Sequence, residues 1–266
     1  MGFLLAEMSG FTEIMKDRKI WKCLLAEFLG TLVLVFVGCG SCLNWDGPSG
    51  PGPSITQISL TFGLTVATMA QAIGHVSGCH INPAVTTGML VANKMKPIKA
   101  ALYVIFQCLG AISGAAILKA FTPEEIQGSL GMTVPNKEMA VAQALGVEFV
   151  ITLILVLTVF GVCDGNRDDI KGSAPLAIGL SITACHLAAI KFTGSSMNPA
   201  RTFGPAVVTS IWTEHWLYWM GPCGGGAVAG LLYRNAFQAA PARPDEGNCE
   251  YEPCAKGDKF QEEAAV

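Results

Sequence analysis

"SGCHINPAVTTG" spans Ser77–Gly88, and "TGSSMNPARTFG" spans Thr193–Gly204. The tripeptide Asn-Pro-Ala therefore occurs twice, as Asn82-Pro83-Ala84 and as Asn198-Pro199-Ala200, with the two asparagines 116 residues apart. Each copy opens an apolar stretch too short to cross a bilayer. Asn82 to Ala92 makes about 16 Å of helix at ~1.5 Å per residue. Asn is a strong N-cap, because its side-chain oxygen accepts an orphan backbone N–H. Proline at the first helical position lacks an N–H that would have no partner there. Alanine is small enough to let two helix ends approach. A capping asparagine still has its amide NH2 to donate, so the pattern predicts two half-helices that meet end to end, with Asn82 and Asn198 at the junction.

The remainder of the chain supplies a membrane for those half-helices to enter. Of its 266 residues, 51% are hydrophobic and only 14% are charged, against about 25% charged in a soluble domain. Six apolar stretches reach or approach the ~18 residues needed to span the hydrocarbon: about Cys23–Leu43, Ser54–Gly74, Ala100–Leu118, Met139–Cys163, Ser173–Ile190 and Trp216–Tyr233. Only Glu27 and Glu148 place a carboxylate inside them. The net charge of -3 gives no reason to expect nucleic-acid binding. No cleavable signal peptide is evident in the first residues.

The stretches repeat in order. "EFLGTLVLV" at Glu27 matches "EFVITLILV" at Glu148, an offset of 121. "FGLTVAT" at Phe62 matches "IGLSITA" at Ile178, and "GAISG" at Gly110 is aligned with "GAVAG" at Gly226, both at 116. Each unit holds three spans, so the second enters the membrane from the opposite side. The fold class is an all-α membrane protein of six transmembrane helices plus two re-entrant half-helices, an inverted repeat of 3 + 3 spans. The divisions are an N-terminal tail (1–20), one channel domain (21–237) and a C-terminal tail (238–266), with repeats at about 21–120 and 139–237. Non-helical backbone at membrane depth is tolerated only under protein cover or beside a water-filled path.

Basic residues set the orientation. Lys16, Arg18, Lys19, Lys22, Lys94, Lys96, Lys99, Arg167, Lys171, Arg234, Arg243, Lys256 and Lys259 fall on one side. Only Lys119, Lys137, Lys191 and Arg201 fall on or toward the other. Both termini are expected to be cytoplasmic, in a multi-pass plasma-membrane protein.

Carried by "AEFLGT", "SGCHINPAVT", "GSSMNPARTFGPA" and "HWLYWMGP", the chain resembles the aquaporins of the major intrinsic protein family from about Trp21 to Tyr233. It is similar to the orthodox water-selective branch, with an insect-like "IKGSAPLAIGL". The resemblance implies a right-handed helical bundle, a homotetramer with one pore per subunit, water as the permeant and the lipid bilayer as surroundings. It also implies an aromatic/arginine selectivity filter of Phe62, His186, Ser195 and Arg201, with His186 and Arg201 both offering donors. A ladder of backbone carbonyls from Gly78, Cys79, His80, Gly194, Ser195 and Ser196 is implied along the path. His186, Thr202, Ala206, Tyr218 and Trp219 are residues that favour water over glycerol. Val85 stands in the first repeat where Arg201 stands in the second.

Glu27 and Glu148 admit two readings: a proton relay, or acceptors that hold the re-entrant loops, and the second fits the family. A glycerol- or urea-permeable channel and a junctional or scaffolding protein with a weak pore are the alternatives to a water channel. No nucleophile–base pair or metal cluster supports an enzyme, and no cofactor or metal is expected. The cysteines read as small apolar residues of the spans. Cys39 and Cys42 have CxxC spacing without a second pair, and Cys249 and Cys254 lie in the polar tail. Cys79, three residues before Asn82 as Ser195 is before Asn198, is expected to border the pore.

Overall fold

In the computed structural model, residues 17–47, 49–170 and 172–241 are described. Lys16, Lys171, Arg243, Lys256, Lys259, Cys249 and Cys254 lie outside those residues. The described chain is helical: α1 Arg18–Gly40, α2 Ile55–Ser77, α3 Pro83–Val91, α4 Pro97–Phe121, a short α5 Glu124–Gln127, α6 Val141–Val162, α7 Ala174–Thr193, α8 Pro199–Thr209 and α9 Leu217–Leu232. A π-turn, Tyr233–Phe237, closes the bundle. By length and composition α1, α4, α6 and α7 can each cross a membrane. Helix α2 has 23 residues but is more polar, with Gln57, Thr68, Gln71 and His75 on its exposed face. His75 sits in the last turn of α2.

Helices α3 and α8 are the two short elements, of 9 and 11 residues. Both start as the cap chemistry requires. Asn82 is extended and its side chain accepts from the Ala84 N–H, while Asn198 accepts from the N–H groups of Ala200 and Arg201. Each follows a long helix that ends on a left-handed glycine, Gly78 at φ 88° and Gly194 at φ 80°.

The packing repeats with the sequence. Helix α1 packs on α4 as α6 packs on α9, and α3 packs on α9 as α8 packs on α4. Helices α2 and α7 cross at Gly63 and Gly179, where a Cβ on either glycine would strike the carbonyl oxygen of the other. Contact of this closeness needs the small residues of membrane helix crossings. Small residues also set the other crossings. Gly110 lies against the Phe28 carbonyl and Gly225 against the Phe149 carbonyl.

That last pair corrects the alignment of the final spans. Phe28 and Phe149 are equivalent at 121, so the equivalent of Gly110 is Gly225, not Gly226. Gly88 beside Gly226 and Gly204 beside Ala111 agree. The offset in α4 and α9 is therefore 115. The second unit is one residue shorter after its half-helix. "GAISG" and "GAVAG" match by composition but meet different neighbours: Gly110 and Gly114 dock on α1, whereas Gly226 and Gly230 dock on α3.

Candidate functional site

Between α2 and α3, and between α7 and α8, the chain runs as two re-entrant strips. Their backbones match: Cys79 and Ile81 have φ 47° and 42°, and Ser195 and Met197 have φ 52° and 55°. Left-handed backbone is uncommon for residues other than glycine, so something must hold it. Glu27 does so in the first half. Its Oε1 accepts from the Ser77 hydroxyl at 2.6 Å and the His80 N–H at 2.9 Å, and its Oε2 from the Ile81 N–H at 2.6 Å. Glu148 accepts from the Thr193 hydroxyl at 2.6 Å, the Ser196 N–H at 2.9 Å and the Met197 N–H at 2.8 Å. Both carboxylates are fully buried. Each hydroxyl also receives a strip N–H, Cys79 N to Ser77 Oγ and Ser195 N to Thr193 Oγ1.

The strips are tied off at both ends. Tyr103 donates to the Ser77 carbonyl and Tyr218 to the Thr193 carbonyl, at 2.8 and 2.7 Å. At the far ends the Asn198 amide donates to the Ile81 carbonyl and the Asn82 amide to the Met197 carbonyl, each at 2.8 Å. Among the described residues, no donor is bonded to the carbonyls in between, those of Gly78, Cys79 and His80 and of Gly194, Ser195 and Ser196.

A cavity of about 180 Å³ runs beside the junction. Leu34, Val66, Leu155, Val159 and Ile182 contribute apolar lining; Gly78, Cys79, His80 and Ser196 line it too, with both asparagines. A water needs about 10–15 Å³ of such space, so a short file fits. Val85 and Arg201, the matched residues after the two tripeptides, both line it.

Phe62, His186 and Arg201 are brought together, each buried. The Phe62 and His186 rings stack with centroids 4.9 Å apart, and the Arg201 guanidinium carbon lies 4.7 Å from the Phe62 centroid. Arg201 Nη1 donates to the Gly131 carbonyl at 2.6 Å, and its Nε has no partner. His186 is anchored to its own helix. Its Nδ1 lies 3.0 Å from the Ile182 carbonyl, and its Nε2 is unpartnered. A carbonyl only accepts, so Nδ1 carries a proton, and Nε2 is the ring nitrogen left for a ligand. Ser195 is buried with its hydroxyl 3.5 Å from the Cys185 carbonyl, and it does not line the cavity. Gly194 does not line it either.

Several residues of this site carry no motif. Gly131 and Thr133 come from the segment between α5 and α6. Thr133 pairs with the Thr202 hydroxyl at 2.6 Å, and Thr202 with Ser196 at 2.6 Å. In the first half Gln107 does the corresponding work, donating to Thr86 at 3.1 Å and to Glu27 at 2.7 Å. At the offset of 115 the counterpart of Gln107 is Pro222, which has no side-chain donor, and the connecting segment reaches in instead. Among the described residues no cluster of His, Cys, Asp and Glu suits a metal.

Two half-helices set N-terminus to N-terminus inside a repeated bundle, beside a bore of water dimensions, define a membrane channel. The family model described as major intrinsic protein matches residues 14–233. Mouse aquaporin-4 is 50% identical over 221 residues, which is 83% of this chain and 68% of that protein. The aquaporin FA-CHIP of the frog Pelophylax lessonae is 44% identical over 238 residues, 86% of this chain and 87% of that one. The solved structure of the aquaglyceroporin from Plasmodium falciparum superposes with a TM-score of 0.73 at 26% identity, covering 82% of this chain and 96% of that one. The chain belongs to the major intrinsic protein family. It is a channel of the aquaporin kind and not an enzyme.

Proposed function

We propose that this channel passes water in single file down osmotic gradients and rejects protons, ions and glycerol-sized solutes. The observation that carries this reading is the pair of matched strips, each with three carbonyls free between two pinned ones. Backbone carbonyls at membrane depth need a partner. Water passing along them sheds neighbours and regains hydrogen bonds step by step, while the apolar lining holds it weakly.

Midway, Asn82 and Asn198 each have one amide hydrogen committed to the opposite strip and a second to donate. Two donors on one water oxygen turn its hydrogens outward along the file. At the constriction Phe62 sets the width, the Arg201 Nε donates and the His186 Nε2 accepts. One water is thus held by one donor and one acceptor. The fixed charge of Arg201 and the positive ends of α3 and α8 oppose cations. Ser195 contributes through its backbone, and Glu27 and Glu148 hold the strips rather than relay protons.

The bias of Lys and Arg supports cytoplasmic termini, and plasma membrane is the compartment proposed. Four copies per assembly, with one bore in each, are proposed on the family resemblance. Stopped-flow light scattering on the purified chain in phosphatidylcholine vesicles tests the reading. Rapid shrinkage under an impermeant osmolyte, with no re-swelling in glycerol or urea, is expected. Re-swelling, or shrinkage no faster than that of empty vesicles, would overturn it.

A further inference from the structure

We propose that a cleft at the end of the bundle that carries the N-terminus binds the phosphorylated headgroup of a membrane phosphoinositide. The cleft measures about 630 Å³ and lies where the first turns of α1 and α4 meet the last turn of α2. That size falls within the ~300–1,000 Å³ of small-molecule sites. Lys19, Lys22, Lys96, Lys99 and His75 line it, with Asp17 the one carboxylate. The inference rests on the membrane reading of the fold and not on the selectivity of the bore.

The charge there is unbalanced. Asp17 Oδ1 already accepts from the Lys19 N–H as the cap of α1. Among the described residues the one ion pair is Arg167–Asp169, so none of the four lysines is neutralised by a carboxylate. Four ammonium groups around one cleft repel one another. A ligand with a single negative charge leaves most of that repulsion in place, whereas a headgroup with several phosphate charges removes it.

The lysines also stand where helix electrostatics disfavour them. The N-terminal end of a helix is positive and attracts anions. Neither α1 nor α4 has an acidic residue in its first turn, and both carry lysine there. Helix α4 has no side-chain cap at all, since Lys96 occupies the cap position. Its first turn borders the cleft through Lys96 and Lys99, and a helix N-terminus is a usual setting for phosphate.

The surface beyond the cleft suits a lipid better than a soluble anion. Along α1 the exposed side chains become Trp21, Leu25 and Leu29, and along α4 they become Ile105 and Leu109. Spaced four apart, they continue one face of each helix away from the charged turns. A basic cleft at the membrane interface, followed by apolar helix faces, suits a phosphorylated headgroup with its acyl chains lying below.

The test uses the full chain in detergent and a fluorescent short-chain phosphatidylinositol bisphosphate, read by polarisation. Saturable binding is expected, weakened at least about tenfold in K19Q/K22Q/K96Q/K99Q and unchanged in K119Q/K137Q/K191Q. Unlabelled lipid should compete far better than inositol trisphosphate, inorganic phosphate or phosphatidylserine. Equal binding by the two triple- and quadruple-site variants would overturn the proposal. So would competition by inositol trisphosphate or phosphate as strong as that of the lipid, which would mean a soluble-anion site. Water flux of K19Q/K22Q/K96Q/K99Q in phosphatidylcholine vesicles should match the unmodified chain, confirming a folded variant. An unmodified chain that binds the lipid but passes no water would overturn the channel reading alone.

Discussion

Asn82 and Asn198 each donate to the backbone carbonyl that precedes the other, Asn82 Nδ2 to Met197 and Asn198 Nδ2 to Ile81, both at 2.8 Å. Each side chain therefore caps its own half-helix and braces the opposite strip. The two asparagines that line the cavity are also the cross-link between the two halves.

The two asparagines are not equal as caps. Asn198 accepts from two N–H groups and Asn82 from one. Replacement by alanine leaves a buried carbonyl unpaired, at about 1–3 kcal/mol, and removes a cap, at about 1 kcal/mol. Asn198→Ala is expected to lower the melting temperature more than Asn82→Ala, as measured by size-exclusion chromatography after heating. The reverse order would contradict the bracing scheme.

Gly131 fixes the direction of Arg201 from a different segment of the chain. Its φ is 67°, and an added Cβ would lie 3.0 Å from both Cα and Cβ of Cys39. Neither the left-handed backbone nor the buried wall of α1 accommodates a side chain there. Gly131→Ala is expected to withdraw the carbonyl from Arg201 and admit glycerol, with water permeability kept within about a factor of two. Arg201→Val combined with His186→Ala should admit larger solutes still. Vesicle re-swelling in glycerol measures both. Unchanged glycerol exclusion in the double variant would refute the filter assignment.

Glu148→Gln separates the support role from a proton relay. The carboxylate accepts from three donors. An amide brings an NH2 group against one of those N–H groups, at about 1–3 kcal/mol for each buried donor left unpaired. A loss of monodisperse protein and of thermal stability is expected, with proton leak unaltered. A well-folded variant with changed proton flux, read by an entrapped pH dye, would favour the relay.

Outside the spans, Asp164 ties the segment after the π-turn to the loop after α6. Its Oδ2 accepts from the Tyr233 hydroxyl at 2.9 Å and the Ala239 N–H at 3.0 Å, and its Oδ1 from the Asn166 N–H at 3.1 Å. The Asn166 and Ala239 N–H groups hold this carboxyl below its usual range, with help from Tyr233. A depressed carboxylate stabilises above its unfolded pKa of about 3.9, and that contribution is lost as pH falls through the lower folded value. Protection of the Ala239 amide, relative to its intrinsic exchange rate, should therefore hold from pH 8 to about pH 5 and vanish only in stronger acid. Asp164→Asn should speed that exchange several-fold at neutral pH. Exchange already complete at pH 5 would refute the tie.

Cys79 and Cys163 both line the bore, whereas Ser195 turns to the Cys185 carbonyl. A mercurial is expected to block flux, with partial relief in Cys79→Ser and near-complete relief when Cys163→Ser is added. Full block of the double variant would place the reactive thiol elsewhere.

The parts of this molecule written into local pattern were legible in its sequence. Six apolar runs, the doubled Asn-Pro-Ala and the paired Glu27 and Glu148 all recur in matched order, and each became an element or an anchor. Gly131 and Thr133 escaped because a connecting segment that reaches a site by long-range packing leaves no periodicity. The one-residue shortening before α9 escaped because "GAISG" and "GAVAG" look alike, and only the carbonyls they touch tell them apart. The Nδ1 proton of His186 was within reach of reasoning, since its acceptor Ile182 lies one helical turn earlier on the same helix.

The reciprocal contact of Gly63 with Gly179 is isologous: each residue presents to the other the surface it receives. Such a surface suits a self-partnering half-length peptide inserted in both orientations, and the full chain is the covalent form of that antiparallel dimer. Among the differences that keep the halves from being interchangeable are Val85 against Arg201, His80 against Ser196 and Gln107 against Pro222. The asymmetry of the bore therefore arises where two halves built on one shared plan have diverged.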